Sequence, residues 1–368
     1  MQIDSLQLEH FRNYEALSVH FHPNVNVIYG ENAQGKTNLL EAIAYFSHAK
    51  SIRTRSDRDM ISFSQTGSSL CAHIHSRNRD FTLETVLNRN GRKKLIKNGV
   101  RLKSGTEIIG ILNTVLFSPE DLYLIREGAA ARRRFLDASI SQLRPRYAQA
   151  LTEYNRLYDH KLRILKDWRE KPSLLNTLDD FNLRLAQAGA VLIHYRAHYI
   201  RKLQEYAQPI HLEFSGGREQ LELSYQTVKE VTDAEAVPSQ LLPQLLAQQS
   251  RLRQAELDSE SCLAGAQKDD LLININGYSA KAFGSQGQIR TAALSLKLAE
   301  REIFCHDTGE YPVLLLDDVL SELDPARQEF VLNRIQGGQV FITCCEEERL
   351  RILKNGSVFH VHNGSISE

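Results

Sequence analysis

A glycine-rich turn near the amino terminus carries the residues best suited to chemistry. Residues 30–37 read Gly-Glu-Asn-Ala-Gln-Gly-Lys-Thr, which has the spacing G-x-x-x-x-G-K-T. The apolar run 25–29 precedes this turn, and residues 38–44 follow it with helical spacing of their apolar side chains. A strand, a turn of this kind and a helix form a P-loop, which binds nucleotide phosphates. The alternative is an ordinary glycine-containing turn before a helix.

Each residue type in the turn has a chemical reason. Glycines let backbone N–H groups close around phosphate oxygens, and Gly35 lets the backbone approach without a Cβ clash. Lys36 would reach the β- and γ-phosphates, and the Thr37 hydroxyl would bind Mg²⁺. We therefore expect ATP and Mg²⁺ as ligands. The predicted nucleotide-binding residues of the turn are Gly30, Glu31, Asn32, Ala33, Gln34, Gly35, Lys36, Thr37 and Asn38.

A second apolar segment ends in two carboxylates. Residues 313–316 are Val-Leu-Leu-Leu, and Asp317 and Asp318 follow directly. In a P-loop protein such a strand lies beside the P-loop strand, and its first aspartate holds Mg²⁺. The Asp318 carboxylate would polarise the attacking water. We predict Thr37 and Asp317 as metal ligands, and Asp318 and Lys36 as catalytic residues; a buried strand with a polar end is the alternative.

The segment Ser285-Gln286-Gly287-Gln288 precedes another helical pattern. Its N–H groups and the Ser285 hydroxyl are suited to bind a phosphate, although an ordinary helix cap is the alternative. We therefore add Ser285, Gln286, Gly287 and Gln288 to the predicted nucleotide-binding residues.

Composition limits the class of protein. The 368 residues are 42% hydrophobic, enough for a large core divided between two lobes. Charged residues make up 24% and the net charge is zero, which excludes disorder and a strongly basic character. Residues 1–150 nevertheless carry a net charge of +7 and the remainder −7. A polyanion would therefore meet the first part preferentially.

Nothing in the sequence predicts export or a membrane partner. No apolar run approaches about 20 residues, and the first residues lack the pattern of a signal peptide. The five cysteines form no C-x-x-C pair, which is typical of reduced thiols and argues against a metal site. We therefore expect a cytoplasmic protein.

Periodicity predicts an α/β protein. Residues 3–11 read as a strand that pairs near the P-loop strand, and the alternating runs predict an antiparallel meander with turns at Asn90-Gly91 and Asn98-Gly99. Two amphipathic stretches separated at residues 171–173 predict an antiparallel helical hairpin. The meander runs are 71–75, 81–87 and 93–97; the helical stretches are 147–165 and 178–199; further strands are predicted at 115–117, 213–214, 221–225, 271–275 and 340–343, and further helix at 234–257.

Positive charge concentrates on the meander. The predicted DNA-contacting residues are Arg89, Arg92, Lys93, Lys94 and Lys97, with Arg132, Arg133 and Arg134 as second choice. Such residues would contact the DNA backbone with little sequence preference. Two alternatives remain: the lysines protect an edge strand from pairing, and the arginine run pairs with the acidic second half of the chain.

The order of these motifs resembles that of ABC-type ATPase heads: Walker A at 30–37, the signature at 285–288, Walker B at 313–318 and the D-loop at 321–324. Further runs are similar to those of one SMC-like family, the RecF DNA repair proteins, over nearly the whole chain. They are Phe11-Arg12-Asn13-Tyr14 and residues 35–42, 117–122, 132–137, 285–291 and 297–300.

The resemblance implies an ATPase head with a mixed sheet and an inserted, mainly α-helical lobe. We place the ATPase lobe at 1–116, the helical lobe at 117–262, and the segment completing the head at 263–368. The family implies an ATP-dependent head-to-head homodimer, in which Asp324 joins the nucleotide-binding residues. It also implies a slow, DNA-stimulated ATPase of recombinational repair and replication-fork restart, which loads onto duplex DNA or single-strand/duplex junctions with RecR and RecO.

The chain departs from the family in places. Gly265-Ala266-Gln267-Lys268 replaces a turn that usually contains His and Arg, and Ile289 replaces a usual Gln. Cys344, Cys345 and Glu346 occupy the region where many ABC heads have a histidine, so we predict no switch histidine. Asp318 replaces the more usual Glu, which favours slow hydrolysis. Two alternatives remain open: a nucleotide-binding subunit of a transporter, and an ATP-binding module without turnover.

Overall fold

We describe a computed structural model of the chain over residues 1–54, 56–345 and 356–367. These residues form fifteen strands and eight α-helices, and none of the helices is both long and apolar enough to cross a membrane. The strands are β1 (Gln2–Phe11), β2 (Tyr14–His20), β3 (Val25–Tyr29), β4 (Gly67–Ser76), β5 (Arg79–Asn88), β6 (Lys94–Lys97), β7 (Val100–Arg101), β8 (Thr114–Phe117), β9 (Leu221–Gln226), β10 (Asp270–Ile275), β11 (Tyr278–Ser279), β12 (Val313–Leu316), β13 (Val340–Cys344), β14 (Gly356–His362) and β15 (Ser365–Ser367). The helices are α1 (Lys36–His48), α2 (Ala129–Leu143), α3 (Pro145–Asp167), α4 (Leu175–Phe214), α5 (Pro238–Ser259), α6 (Ala280–Phe283), α7 (Gln286–Thr308) and α8 (Pro325–Arg334).

The chain divides into two compact units. Unit 1 comprises Met1–Tyr123 and Ala293–Glu368, and unit 2 comprises Leu124–Ala292. The boundaries expected from the sequence, at 116/117 and 262/263, both lie earlier along the chain. The second differs because β10 follows residue 263 but pairs with β9, so this segment belongs with the helices of unit 2.

Unit 1 contains two six-stranded sheets. The first is antiparallel with the order β2-β1-β4-β5-β6-β7, and the second is mixed with the order β15-β14-β3-β13-β12-β8. The predicted pairing of residues 3–11 near the P-loop strand is wrong, because β1 pairs with β2 and β4. The sheets are instead joined by the buried Gln339 side chain, which accepts from the Ile3 N–H (2.8 Å) and donates to the Ile3 carbonyl (2.9 Å).

The meander is confirmed as β4, β5 and β6, but one of its predicted turns is wrong. Asn98 and Gly99 have φ values of 50° and 76°, as a tight turn requires, whereas neither Asn90 nor Gly91 is among the described residues with positive φ. The β4–β5 turn uses Arg77 and Asn78 at φ 52° and 58°. The sequence did not indicate that turn, because arginine seldom adopts this conformation.

Helix α1 lies between the two sheets of unit 1. It contacts β4 of the first sheet and β13 and β8 of the second. Because it is covered from both sides, it is buried almost all round, and Leu39, Ile43 and Phe46 have no exposed surface. The core around α1 fixes the start of the helix, where the P-loop ends.

Unit 2 contains the predicted helical hairpin, formed by α3 and α4. The pairing is antiparallel, since Tyr147 early in α3 accepts from Arg196 midway along α4 (3.0 Å), while Leu165 and Leu178 share one apolar cluster near the connection. Helix α4 continues to Phe214, so the strand predicted at 213–214 is wrong. The strands predicted at 221–225 and 271–275 are confirmed as β9 and β10, which form a three-stranded sheet with β11.

Candidate nucleotide site

The site lies at the carboxyl edge of the second sheet of unit 1. Strands β3, β13 and β12 run parallel, so the P-loop, Thr343 and the two aspartates after β12 emerge at the same edge. The expectation that β12 lies beside the P-loop strand is wrong, because β13 lies between them. Asp317 still reaches the P-loop across β13, as its contact with Thr37 shows.

Two glycines of the P-loop occupy positions that a side chain would block. Gly30 has φ 152°, and a Cβ there would lie 2.3 Å from the Val361 carbonyl oxygen. Gly35 has φ 123°, and a Cβ there would lie 2.7 Å from Asn13 Nδ2. The loop is therefore pressed against β14 on one side and against the β1–β2 turn on the other, which explains both glycines in physical terms.

The Lys36 ammonium occupies the inside of the loop. The side chain is almost fully buried, and Nζ donates to the carbonyl oxygens of Gly30 (2.7 Å) and Glu31 (3.1 Å). These are neutral acceptors around a full positive charge, so a phosphate oxygen would be a stronger partner. Cys345 Sγ lies 3.7 Å from the same Nζ and donates to Asn32 Oδ1. Glu346, the next residue of the region where many ABC heads have a histidine, lies outside the described residues.

Asp317 gathers two hydroxyl groups. Its Oδ1 accepts from Thr37 Oγ1 (2.9 Å) and from Thr343 Oγ1 (3.0 Å). Burial raises the pKa of Asp317, and the two hydroxyl hydrogen bonds oppose that rise. A carboxylate and a hydroxyl at this spacing are the hard oxygen ligands that Mg²⁺ prefers, so the residues present fit the ion.

Asp318 stands in an unusual conformation with one unused acceptor. Its φ is 50°, and its backbone N–H donates to Thr343 Oγ1 (2.8 Å). Its Oδ1 is buried and has no hydrogen-bond partner among the described residues. A buried carboxylate oxygen without a donor is costly, so the geometry fits a site that a water or ligand completes.

The Phe11-Arg12-Asn13-Tyr14 run makes hydrogen bonds to the P-loop and to α1. Arg12 makes two hydrogen bonds to Glu41 of α1 (2.9 and 2.8 Å), and Asn13 Nδ2 donates to the Gln34 carbonyl (2.7 Å). The Tyr14 hydroxyl donates to the Gly35 carbonyl (3.0 Å). Sequence reasoning missed Thr343, Glu41 and Asn13 as parts of the site. Asn13 could have been found from the sequence, because it belongs to the Phe11-Arg12-Asn13-Tyr14 run that carries the family resemblance.

The signature segment is a helix cap in this structure. Ser285 Oγ accepts from the Gln288 N–H (3.2 Å), and Gln288 Oε1 accepts in return from the Ser285 N–H (2.9 Å). Gln288 Nε2 also donates to Glu219 (3.0 Å), which contacts the buried His211 at 3.2 Å. Burial lowers the pKa of His211. Asp324 likewise caps α8 by accepting from the Arg327 N–H (3.0 Å), and this contact lowers the pKa of Asp324.

The predicted DNA-contacting residues differ in whether their side chains already have partners within the chain. Arg89 donates to three backbone carbonyls, Lys93 pairs with Asp57 at 2.6 Å, and Lys97 lies over the Phe81 ring. In the described part of the chain, Arg92 and Lys94 are exposed and make no side-chain hydrogen bond or ion pair.

The second-choice arginines are mostly engaged inside unit 2. Arg132 forms a two-point pair with Asp270 (2.7 and 2.8 Å), and Arg133 donates to the Asp269 carbonyl (2.6 Å). The alternative, pairing with the acidic second half of the chain, is therefore confirmed for Arg132.

In the turn at 265–268, Gln267 contacts the Tyr154 hydroxyl, and it stands where the family usually has another residue.

Comparisons with known proteins agree with this geometry. The model of the RecF/RecN/SMC N terminal domain family matches residues 2–367. DNA replication and repair protein RecF of Clostridium perfringens (strain SM101 / Type A) is 40% identical over 100% of this chain and 99% of its own length, and that of Clostridioides difficile (strain 630) is 38% identical over 100% and 98%.

A solved structure of the recombination mediator protein RecF-ATPrS in the RecFOR pathway has a TM-score of 0.91 at 35% identity, with 100% of this chain and 97% of that chain covered. The Smc head domain of Pyrococcus furiosus, with 15% identity and a TM-score of 0.56 over 99% of this chain and 95% of that chain, shares the fold alone. Together with the geometry, these findings confirm the predicted fold class, a P-loop ATPase head with a mixed sheet and an inserted helical lobe.

Proposed function

Because the chain belongs to the RecF family of DNA replication and repair proteins, we propose that it binds DNA under the control of ATP in recombinational repair. Family membership overrules the alternative of a transporter subunit. The observation that carries the proposal is the hydrogen bond between Thr37 and Asp317, beside the buried Lys36. This bond brings Asp317, which follows β12, to the P-loop residues Lys36 and Thr37.

In this proposal Lys36 and the N–H groups of residues 30–38 hold the phosphates, and Thr37 and Asp317 hold Mg²⁺. The ion supplies neutralising charge on the phosphate oxygens. Asp318 orients the attacking water with the oxygen that otherwise lacks a donor. An aspartate reaches less far than a glutamate, so hydrolysis is slow. ATP binding to relatives supports this assignment, since one solved structure is of RecF-ATP in the RecFOR pathway.

The signature acts in a second copy of the chain. Ser285 and Gly287 of one protomer would meet the γ-phosphate held by Lys36 of the other, and Asp324 would lie beside that nucleotide. The mutual cap of Ser285 and Gln288 supports this step, because it holds the signature in a fixed conformation at the start of α7. Since γ-phosphate contacts exist only with ATP, hydrolysis to ADP releases the dimer.

DNA is held by the meander, with Arg92 and Lys94 as the freest cations and Arg89, Lys93 and Lys97 behind them. Each protomer offers few phosphate contacts, so dimerisation doubles them and makes DNA binding depend on ATP. The expected substrates are gapped or duplex DNA and single-strand/duplex junctions in the cytoplasm, with RecR- and RecO-type mediators as partners. DNA contact in turn stimulates the ATPase.

Sedimentation tests the proposal directly. The wild-type protein is expected to be a dimer with ATP and Mg²⁺ and a monomer with ADP or without nucleotide. Lys36→Met should lose nucleotide binding and remain monomeric, whereas Ser285→Arg should still bind ATP and remain monomeric because the blocked signature cannot reach the partner. The same mass for the wild type under all three conditions would refute the composite site.

A further inference from the structure

Phe63 is the most exposed large apolar side chain of the described residues. Its relative exposure is 102%, and among the phenylalanines only Phe283 is also exposed. It lies in the loop between the short helical turn Asp57–Met60 and β4. An isolated apolar residue on a surface is ordinary, so the exposure becomes informative only through the way the loop is held.

The loop is fixed on both sides of Phe63. The Arg89 guanidinium donates to the carbonyls of Ile61 (3.1 Å), Ser62 (3.0 Å) and Gln65 (2.7 Å). The Ser62 N–H donates to the His10 carbonyl (2.9 Å), and the Ser62 hydroxyl donates to the Arg12 carbonyl (2.8 Å). The loop is thus tied at three residues, Ile61, Ser62 and Gln65, while the ring itself is fully exposed to solvent. An anchored loop holds its aromatic side chain out at little entropic cost when a partner arrives.

The surroundings of the loop are cationic. Arg89 directly follows β5, the turn after it carries the exposed Arg92, and the exposed Lys94 begins β6. Gly91 of this turn and Lys93 line a cleft of about 360 Å³ together with Lys50 and Arg58. Asp57 is the one carboxylate in the lining, and it is paired with Lys93. The aromatic ring and the basic cleft therefore belong to two segments that Arg89 ties together.

We propose that Phe63 stacks on an unpaired base where single-stranded DNA meets duplex, while the cations across the turn hold the backbone. Every base has a π-face on which an aromatic side chain can stack without reading sequence, and a charged groove beside such a ring is how single strands are bound. A base within an intact duplex offers no free face. The inference rests on the proposed function and adds to it the means of distinguishing a junction from continuous duplex.

The occupant is taken as DNA rather than a protein because of the charge. A protein-binding hot spot is ringed by near-neutral contacts that exclude water, whereas the segment that Arg89 ties to this loop carries Arg92 and Lys94, which have no partner in the described chain. A mediator protein on this loop is the competing occupant and is treated as an outcome of the test.

The test uses gapped DNA with 2-aminopurine at the first unpaired position, blunt duplex of equal length, and the full chain with ATP. Phe63→Ala is expected to weaken binding of gapped DNA between about 5-fold and 150-fold and to abolish the stacking-dependent quenching of 2-aminopurine. Blunt-duplex affinity and ATP-driven dimerisation should stay unchanged. Phe63→Trp should retain the quenching, and Phe63→Leu should lose it although it remains apolar. Tyr123→Ala, at another exposed aromatic of unit 1, is the matched control and should behave as wild type.

If Phe63→Ala binds gapped DNA and quenches 2-aminopurine as wild type does, the inference is overturned and the proposed function stands. Loss of RecR or RecO binding in Phe63→Ala, with DNA binding intact, would also overturn it and assign the loop to a protein. Wild-type protein that binds none of these DNAs with ATP would overturn the proposed function itself.

Discussion

Thr343 connects the two aspartates that follow β12. Its hydroxyl donates to Asp317 Oδ1 and accepts from the Asp318 N–H, so one side chain holds both the Asp317 carboxylate and the Asp318 backbone. Lys36, Thr37 and Asp317 were readable from the sequence because their types and spacing have few other uses. Thr343 was not, because a threonine at the end of an apolar strand satisfies ordinary strand preferences and carries no local signal.

We expect Thr343→Val to leave the fold intact and to impair turnover. Valine has the same shape but removes the hydroxyl, so the Asp318 N–H loses its acceptor and Asp317 loses one donor. Urea unfolding should show a loss of about 1–3 kcal/mol in the free energy of unfolding, and the ATPase rate should fall. Thr343→Ser keeps the hydroxyl and should retain most of both. A Val variant with wild-type turnover would remove Thr343 from the site.

The roles of the two aspartates separate in their variants. Asp318→Asn is expected to hydrolyse ATP poorly yet to sediment as a dimer with ATP, because binding does not need this carboxylate. Asp317→Asn weakens the Mg²⁺ shell and should cost orders of magnitude in hydrolysis, since charge neutralisation is lost. Single-turnover assays beside sedimentation distinguish them. Unchanged hydrolysis in Asp317→Asn would contradict the metal assignment.

The β5–β6 turn shows what an element adds to a list of basic residues. Five cations were read from the sequence as equivalent, but contacts of Arg89 with the 61–65 loop, of Lys93 with Asp57 and of Lys97 with Phe81 leave only Arg92 and Lys94 free of partners in the described chain. Local sequence does not separate them, because the partners of Arg89 and Lys93 lie 24 to 48 residues away. The helical hairpin was predictable, since its periodicity is local. The place of β13 between β3 and β12 was not predictable, because strand order depends on residues far apart in the chain.

Arg92→Ala with Lys94→Ala should weaken DNA binding without affecting dimerisation. Each lost phosphate contact flattens the log–log salt dependence by roughly one unit, so the double variant should lose about two units of slope. Lys93→Ala serves as a contrast: it breaks the pair with Asp57 and is expected to act mainly on stability. Affinity and salt slope equal to wild type in the double variant would place the DNA path elsewhere.

For the molecule as a whole, acid should destabilise unit 1 through His48. Burial lowers the pKa of His48 to about 4, so the folded chain prefers the neutral ring. This stability is complete above the ordinary pKa of 6.5 and is lost as the pH falls towards 4, by at most about 3 kcal/mol.

We expect His48→Gln to show a flatter loss of stability over this range. The measurement is the difference in free energy of unfolding between wild type and variant at pH 7 and at pH 4.5. Parallel curves for the two proteins would contradict the assignment to His48.

The P-loop strand β3 has neighbours that are made very late. It pairs on one side with β13 and on the other with β14, and the Asn363 N–H donates to Gln34 Oε1 (2.6 Å) beside the loop. At a synthesis rate of about 5–20 residues per second, the ribosome reaches these partners roughly 15 to 60 seconds after it has made β3. During that interval the nascent chain carries the whole G-x-x-x-x-G-K-T without a sheet to hold it. A chain that ends before β13 lacks both strands that pair with β3, so we expect an early-terminated product not to form the candidate nucleotide site.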